Sequence, residues 1–250
     1  MNRSLLHISR LFLISVLLLN GCAGTRGSHR KVALHTGYAY AYLSNKADKF
    51  RDKDFRKARK IDARARKHYI KAFQHGLKKL ERRYPGFGDT LSANPGRAIS
   101  WTAREDVPLL YWTGAALGAA IGLSKDRPDM LIRLPQVGAM AFRVTELWPD
   151  YKQGAAFQLL MIYEASRSGL LGGSISLARY YYEQALNFSK GHNAGLFVSY
   201  AESICVQEQN RAEFVSMLEK ALAVKGGGTE NRLARKRARW LLGRADDLFL

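Results

Sequence analysis

The sequence predicts an all-α fold: antiparallel helical hairpins stacked side by side and closed by a C-terminal capping helix. Three observations carry that expectation. Strand-like alternation is scarce, and long stretches rich in Ala, Leu, Arg, Lys and Glu repeat apolar residues every three or four positions. Pro and Gly punctuate the chain between those stretches, at Pro85-Gly86, Pro149, Lys190-Gly191 and Gly226-Gly227-Gly228. The stretch from Leu147 to Leu186 holds the end of one hairpin and the whole of the next. With 250 residues, 47% of them hydrophobic, the chain can bury one sizeable core or a short solenoid.

In that stretch, Glu146-Leu147-Trp148-Pro149-Asp150-Tyr151 ends a helix, because Pro149 cannot continue it. Residues 155–163 start the next helix, and Leu177 to Leu186 lie in its partner. Ala178 and Ala185 are seven apart, two turns along one face, with Tyr182 between them. Small residues flanking a bulky one let two helices approach closely, which is the grammar of a tetratricopeptide (TPR) hairpin. The expected architecture is therefore a TPR-like α-solenoid. Its central loop, residues 168–174, is longer than a standard turn of that repeat.

The N-terminus reads as an address. Arg3 and Arg10 precede or abut an apolar run at 11–19, too short for a span that needs about 20 residues. Leu19-Asn20-Gly21-Cys22 fits the lipobox of a bacterial lipoprotein signal. Residues 1–21 are then the signal peptide, and Cys22 takes a diacylglyceryl group and becomes the new terminus. Two or three acyl chains anchor stably, since each buried CH₂ contributes about 0.8 kcal/mol. Ala23 follows Cys22 where an Asp would favour the inner membrane, so the expected location is the periplasmic face of the outer membrane. Residues 22–30 form a tether to a single TPR-like helical domain at 31–250.

The first helices of that domain, within 31–84, are basic. Between Arg26 and Arg83 there are 19 basic and 5 acidic residues, so most of the net charge of +19 sits there. One helix is expected over 31–50, with Val32, Ala39, Tyr42 and Leu43 among its apolar positions. A second is expected over 55–83, carrying Ala65, Tyr69, Ala72, Phe73 and Leu77 at helical spacing. A periplasmic address argues against nucleic acid as the partner of this charge. Anionic lipid heads near the anchor, or plain solvation, account for it as well.

Core repeats are expected over 105–250. After a loop at 91–96, Glu105-Asp106-Val107-Pro108 opens a helix over 109–123, with acids and Pro at its start. Gly114, Gly118 and Gly122 strip one face of this helix for close packing. Pro128 and Pro135 punctuate the next connection, and a helix follows over 136–148. Beyond the central hairpin come helices at 195–206 and 211–224, then the break at 225–229. The last helix, 232–250, should carry Arg235, Lys236, Arg237 and Arg239 outside and Leu233, Trp240, Leu241 and Leu248 inside, capping the array.

Catalytic signatures are missing. The six histidines show no metal-ligand spacing; His68 and His75 are seven apart without an acidic companion. There is no P-loop frame and no Gly-x-Ser-x-Gly elbow. Asp246-Asp247 and Glu105-Asp106 read as helix caps. Cys205, in Ser203-Ile204-Cys205-Val206, reads as a buried inert thiol. The expectation is a non-enzyme with neither cofactor nor metal. Tyr111, Trp112, Tyr151, Tyr163, Tyr181 and Tyr200 are the candidates to line a ligand site, with core packing as the competing role.

Laid out in order, several segments carry a resemblance: Glu105-Asp106-Val107-Pro108 with Tyr111-Trp112; Leu123-Ser124-Lys125-Asp126 with Pro128; Glu146 to Tyr151; Gly172-Gly173-Ser174 leading to Ala178-Arg179; Tyr182-Glu183-Gln184-Ala185-Leu186; Val198 to Glu202; and Arg237-Ala238-Arg239-Trp240-Leu241-Leu242. Over roughly 105–249 the chain resembles the T-component family of TRAP transporters, TPR-containing periplasmic lipoproteins. It departs from that family in the shortness of 225–229. The resemblance implies an accessory transport role and a partnership with the periplasmic solute-binding P protein. It also implies that the protein can form a homo-trimer and can hold an apolar channel for a small hydrophobic molecule. A TPR scaffold in outer-membrane or envelope assembly, without a ligand, is the alternative.

Overall fold

The computed structural model describes Gly27, residues 29–167, Gly169 and residues 172–249. The signal segment 1–21, the lipidation residue Cys22 and most of the tether lie outside the described residues. Every regular element among the described residues is helical, as expected. They fall into two compact units that divide between Trp148 and Pro149, inside the stretch read as core repeats.

In the first unit, α1 (Arg30–Tyr38) passes through π-helical turns at Ala39–Ser44 into α2 (Asn45–Phe50). The Asn45 side-chain amide also donates to the carbonyls of Tyr40 and Ala41. The inner face is small, with Gly37, Ala39 and Ala47 buried, so the helix lies close on α3 (Phe55–Arg83). Tyr42, expected among the apolar positions, instead stands 69% exposed. The π turns shift the phase there, so an α-helical wheel misplaces it.

Asp54 caps α3 by accepting from the Lys57 amide. The buried positions Ala58, Ile61, Ala65, Tyr69, Ala72, Phe73, Gly76 and Leu80 run down one face at helical spacing. Beyond Pro85 the chain turns at Gly86, whose φ of 83° suits glycine. The Glu81 carboxylate accepts from the Gly86 and Gly88 amides at 2.7 Å each. Those bonds start α4 (Phe87–Ala93), and Asn94 then caps α5 (Pro95–Ser100) through the Arg97 amide. The loop expected at 91–96 is thus a helix-to-helix joint: Asn94-Pro95 is a cap followed by an N1 proline.

Asp106, 1% exposed, accepts from the Ala103 amide, the Arg83 guanidinium and the Tyr84 hydroxyl. It fixes the short turn before α6 (Val107–Gly122). Every residue of α6 except Pro108 is buried, and each fully buried Leu there contributes about 2 kcal/mol. Its neighbours are α3 on one side and α8 (Leu134–Leu147) on the other, with α7 (Pro128–Leu131) between α6 and α8 in sequence. Close approach needs missing side chains at both crossings. A Cβ on Gly76 would stand 2.0 Å from Thr113 Oγ1, and one on Gly114 would stand 3.2 Å from Met140 Cβ. Pro135, expected in the connection, lies in the first turn of α8, where its missing N–H costs nothing.

The second unit opens with a tight turn in which Lys152, Gln153 and Gly154 all have positive φ. Gly154 starts α9 (Ala155–Ser166), and a Cβ there would meet Phe188 Cβ at 2.8 Å. Ser174 caps α10 (Ile175–Ser189), whose buried face is Ala178, Tyr182, Ala185 and Ser189, the spacing the sequence predicts. α11 (Ala194–Tyr200) continues through π turns at Ala201–Cys205, all of it buried. α12 (Arg211–Ala223) follows, capped by Asn210.

The helix expected over 232–250 is two pieces, α13 (Thr229–Leu242) and α14 (Ala245–Leu248), broken at Gly243-Arg244. Its inner face is Asn231, Ala234, Ala238, Leu241 and Ala245; of the four residues expected inside, Leu241 is buried, whereas Leu233, Trp240 and Leu248 are only partly buried. Arg237, expected outside, turns inward to pair with buried Glu202 at 2.6 Å. Arg235 is held by the carbonyls of Val224 and Gly226, which bridges the Gly-rich break. A polar seam joins three helices: Gln158 donates to Ser199 and Gly195, Asn193 donates to Gln158, and Asn231 accepts from the Ala194 amide.

Candidate functional site

α9 and α10 share an aromatic wall of mostly half-buried side chains. The Arg167 guanidinium stacks 4.0 Å over the Tyr163 ring and pairs at 2.6 Å with Glu164, which is 6% exposed. Ion pair and ring therefore hold each other in place. Tyr181 on α10 lies within electrostatic reach of Glu164, Arg167 and Tyr163. Its ring is 5.5 Å from Tyr180 and 6.4 Å from Phe157, and Phe157 stacks on Phe188 at 5.4 Å. Burial pushes the Tyr163 and Tyr181 hydroxyls up, so both stay protonated donors at neutral pH. Leu177 and Tyr180 stand exposed at the rim. Flat apolar bodies edged by hydroxyl donors suit a partner or solute that is mostly apolar with a few acceptors.

A second constellation joins α10, α11 and α12. Arg179 donates to Glu213 at 3.2 Å and also contacts Glu208 and the Tyr200 hydroxyl. Tyr200 donates to Glu213 at 2.8 Å, and its ring lies 4.4 Å from that of Tyr182. Burial alone would raise the Glu213 carboxyl, but hydrogen bonds from Arg179 and Tyr200 outweigh it and hold the group below the usual carboxylate range. Burial pushes the Tyr182 hydroxyl up to about 12. Cys205 is fully buried beside this cluster; burial first, then Glu213, push its thiol far above the range where thiolate forms. The inert thiol read from the sequence is what its surroundings enforce.

The six aromatics singled out from the sequence are therefore distributed. Tyr163 and Tyr181 meet around Arg167. Tyr200 is 2% exposed and belongs to the Arg179 cluster. Tyr151 sits half-buried in the turn before α9. Tyr111 and Trp112 are buried neighbours in α6, edge to face at 5.6 Å, in the first unit. Phe157, Tyr180, Phe188 and Arg167 complete the wall and were not singled out. Tyr180 precedes Tyr181 in the sequence, so adjacency could have flagged it; Phe157 lies six residues from Tyr163, and its place in the wall comes from ring contacts with Tyr181 and Phe188 on α10.

The structure also gathers three histidines. His35 Nδ1 lies 3.2 Å from His68 Nδ1, and the His75 ring stacks on His35 at 5.6 Å. No spacing rule links His35 to the other two, because it arrives from a separate helix. Burial, then neighbouring His68 and Lys71, lower the His35 basicity; burial, then Lys71 and Lys31, lower that of His75. Among the described residues, no group of three or more His, Cys, Asp or Glu is placed to hold a metal ion. No helix among them is long and apolar enough to cross a membrane.

Comparison with known proteins bears on what these surfaces do. The profile of the family described as TRAP transporter T-component matches residues 11–249. An uncharacterized protein of Treponema pallidum (strain Nichols) is 30% identical over 237 residues, covering 89% of this chain and 73% of its own length.

Proposed function

Because this chain belongs to the TRAP transporter T-component family, we propose that it is the accessory T component of a TRAP-type transport system and binds that system's solute-binding P protein. The single observation that carries the reading is the family match, which runs from residue 11 to residue 249. T-components are accessory transport proteins. The aromatic wall on α9 and α10, with Leu177 and Tyr180 at its rim, is the surface we assign to the partner. Aromatic residues are enriched where proteins meet, because they bury much area at little entropic cost.

The finer reading follows the same line. The protein is a lipoprotein carried on Cys22 at the periplasmic face of the outer membrane. Its helix pairs stack in TPR-like fashion, and it assembles as a homo-trimer. Of the six aromatics expected at a ligand site, Tyr163 and Tyr181, which both flank Arg167 in the second unit, contribute to a site for a small hydrophobic molecule. Helix pairs such as α9–α10 and α11–α12, which pack neighbour against neighbour, support the TPR-like element of this reading.

Pull-down from solubilised envelope with the tagged full chain tests the function. A TRAP solute-binding protein should be recovered, and its yield should fall severalfold with Tyr180→Ala plus Leu177→Ala. Recovery of envelope-assembly machinery alone would favour the scaffold role. Native mass spectrometry of the same preparation reads the oligomer and any bound small molecule.

A further inference from the structure

We propose that the face formed by α1, the following π turns and α3 docks on an anionic lipid surface. Four exposed side chains define it. Leu34 and Tyr38 are nearly half exposed, Tyr42 is 69% exposed, and exposed Lys46 follows one helical turn later. The Tyr38 and Tyr42 rings are 5.6 Å apart, so they form one patch. That patch continues onto α3, because the Tyr38 ring lies 4.9 Å from His68 and the His68, His35 and His75 rings follow in series. Lys31 and Lys71 both act electrostatically on His35, which places them at the same edge, with Lys78 and Lys79 beyond His75.

A strip of tyrosines and leucine rimmed by lysines matches a membrane interface, where amphipathic rings sit among headgroups and ammonium groups meet phosphates. Four of the five acids between Arg26 and Arg83 are engaged elsewhere. Asp48 and Asp62 hold Arg51, Asp54 caps α3, and Glu81 ties down the Gly86 and Gly88 amides. A second copy of the chain is a poor occupant, since two faces this basic repel each other. The sequence also places the face near a bilayer. Cys22 and Arg30 are eight positions apart in the sequence, a reach of at most about 27 Å. This proximity rests on the anchored reading of Cys22.

The test uses the full chain with Tyr42→Cys carrying an environment-sensitive fluorophore. It is reconstituted into vesicles of phosphatidylcholine alone, or with about one-third phosphatidylglycerol. Flotation reports anchoring and fluorescence reports the face, so the two can fail separately. The label should brighten and blue-shift severalfold on anionic vesicles, stay water-like on neutral ones, and revert at high salt. Lys31→Ala and Lys71→Ala should each weaken the response about fivefold, with helix content by circular dichroism unchanged. A water-like label on floating anionic vesicles overturns the proposal, as does an equal response on neutral ones. Preference for duplex DNA over anionic vesicles at matched phosphate overturns it too. If the chain does not float, anchoring has failed, and vesicles added to the soluble protein still read the face by the same signal.

Discussion

At the scale of single residues, buried charge is the sharpest constraint. Glu202 is 4% exposed and is held by Arg237, whose ring neighbour Trp240 lies 4.3 Å from the guanidinium carbon. Arg237→Ala should therefore cost about 3–5 kcal/mol in urea unfolding, because it removes the guanidinium paired with a buried carboxylate. Arg237→Met combined with Glu202→Leu should recover most of that loss, since neither charge then needs a partner. Glu213 gives a pH signature. Its folded-state pKa lies below the ordinary carboxylate value, so its stabilisation is complete above that value and is lost as pH falls through the depressed one. Glu213→Gln should flatten the acid limb of stability against pH, read from urea midpoints between pH 3 and 6. The inward turn of Arg237 was not legible in the sequence. An arginine in Arg235-Lys236-Arg237 looks like a solvated face until a distant glutamate is brought beneath it. The burial of Cys205 was legible, because its sequence neighbours are apolar.

At the scale of elements, helix crossings and caps decide what is tolerated. The crossing of α3 and α6 depends on Gly76, where any Cβ collides with Thr113. Gly76→Ala should cost about 1–3 kcal/mol, and Thr113→Ala in the same chain should return part of it; thermal melts of the three variants read both effects. The α1–α3 seam adds a second pH dependence, of histidine origin. His35 and His75 are both less basic than usual, so the stabilisation from keeping them neutral is present above about pH 6.5. It is lost as pH falls through their lowered values. His35→Gln with His75→Gln should leave unfolding midpoints less sensitive between pH 5 and 7. Long, strongly periodic elements were readable. The helix expected over 55–83 is α3 to the residue, because its cap, its apolar face and its proline stop all agree. Short ones were not. Residues 91–96 look like loop chemistry, yet Asn94-Pro95 ends one helix and starts another, a signal that reads the same either way.

Across the whole molecule, composition was more legible than contacts. The segregation of basic residues before Tyr84 is plain in the sequence, whereas the ring contacts of the α9–α10 wall depend on which side chains folding brings together. Cys22→Ala should abolish labelling by a fatty-acid analogue, and persistent labelling would remove the anchor from the account. Each of the two units also carries a π-helical stretch, Ala39–Ser44 and Ala201–Cys205. A π turn holds one residue more than an α turn can seat, and elsewhere in a helix removing one residue swings everything beyond it by about 100°. Taking out Leu43 should relax that stretch to ordinary winding and leave both flanks in phase, whereas taking out Ala65 from α3 should not be survivable. These two places are where the chain can lose a single residue without disturbing either core.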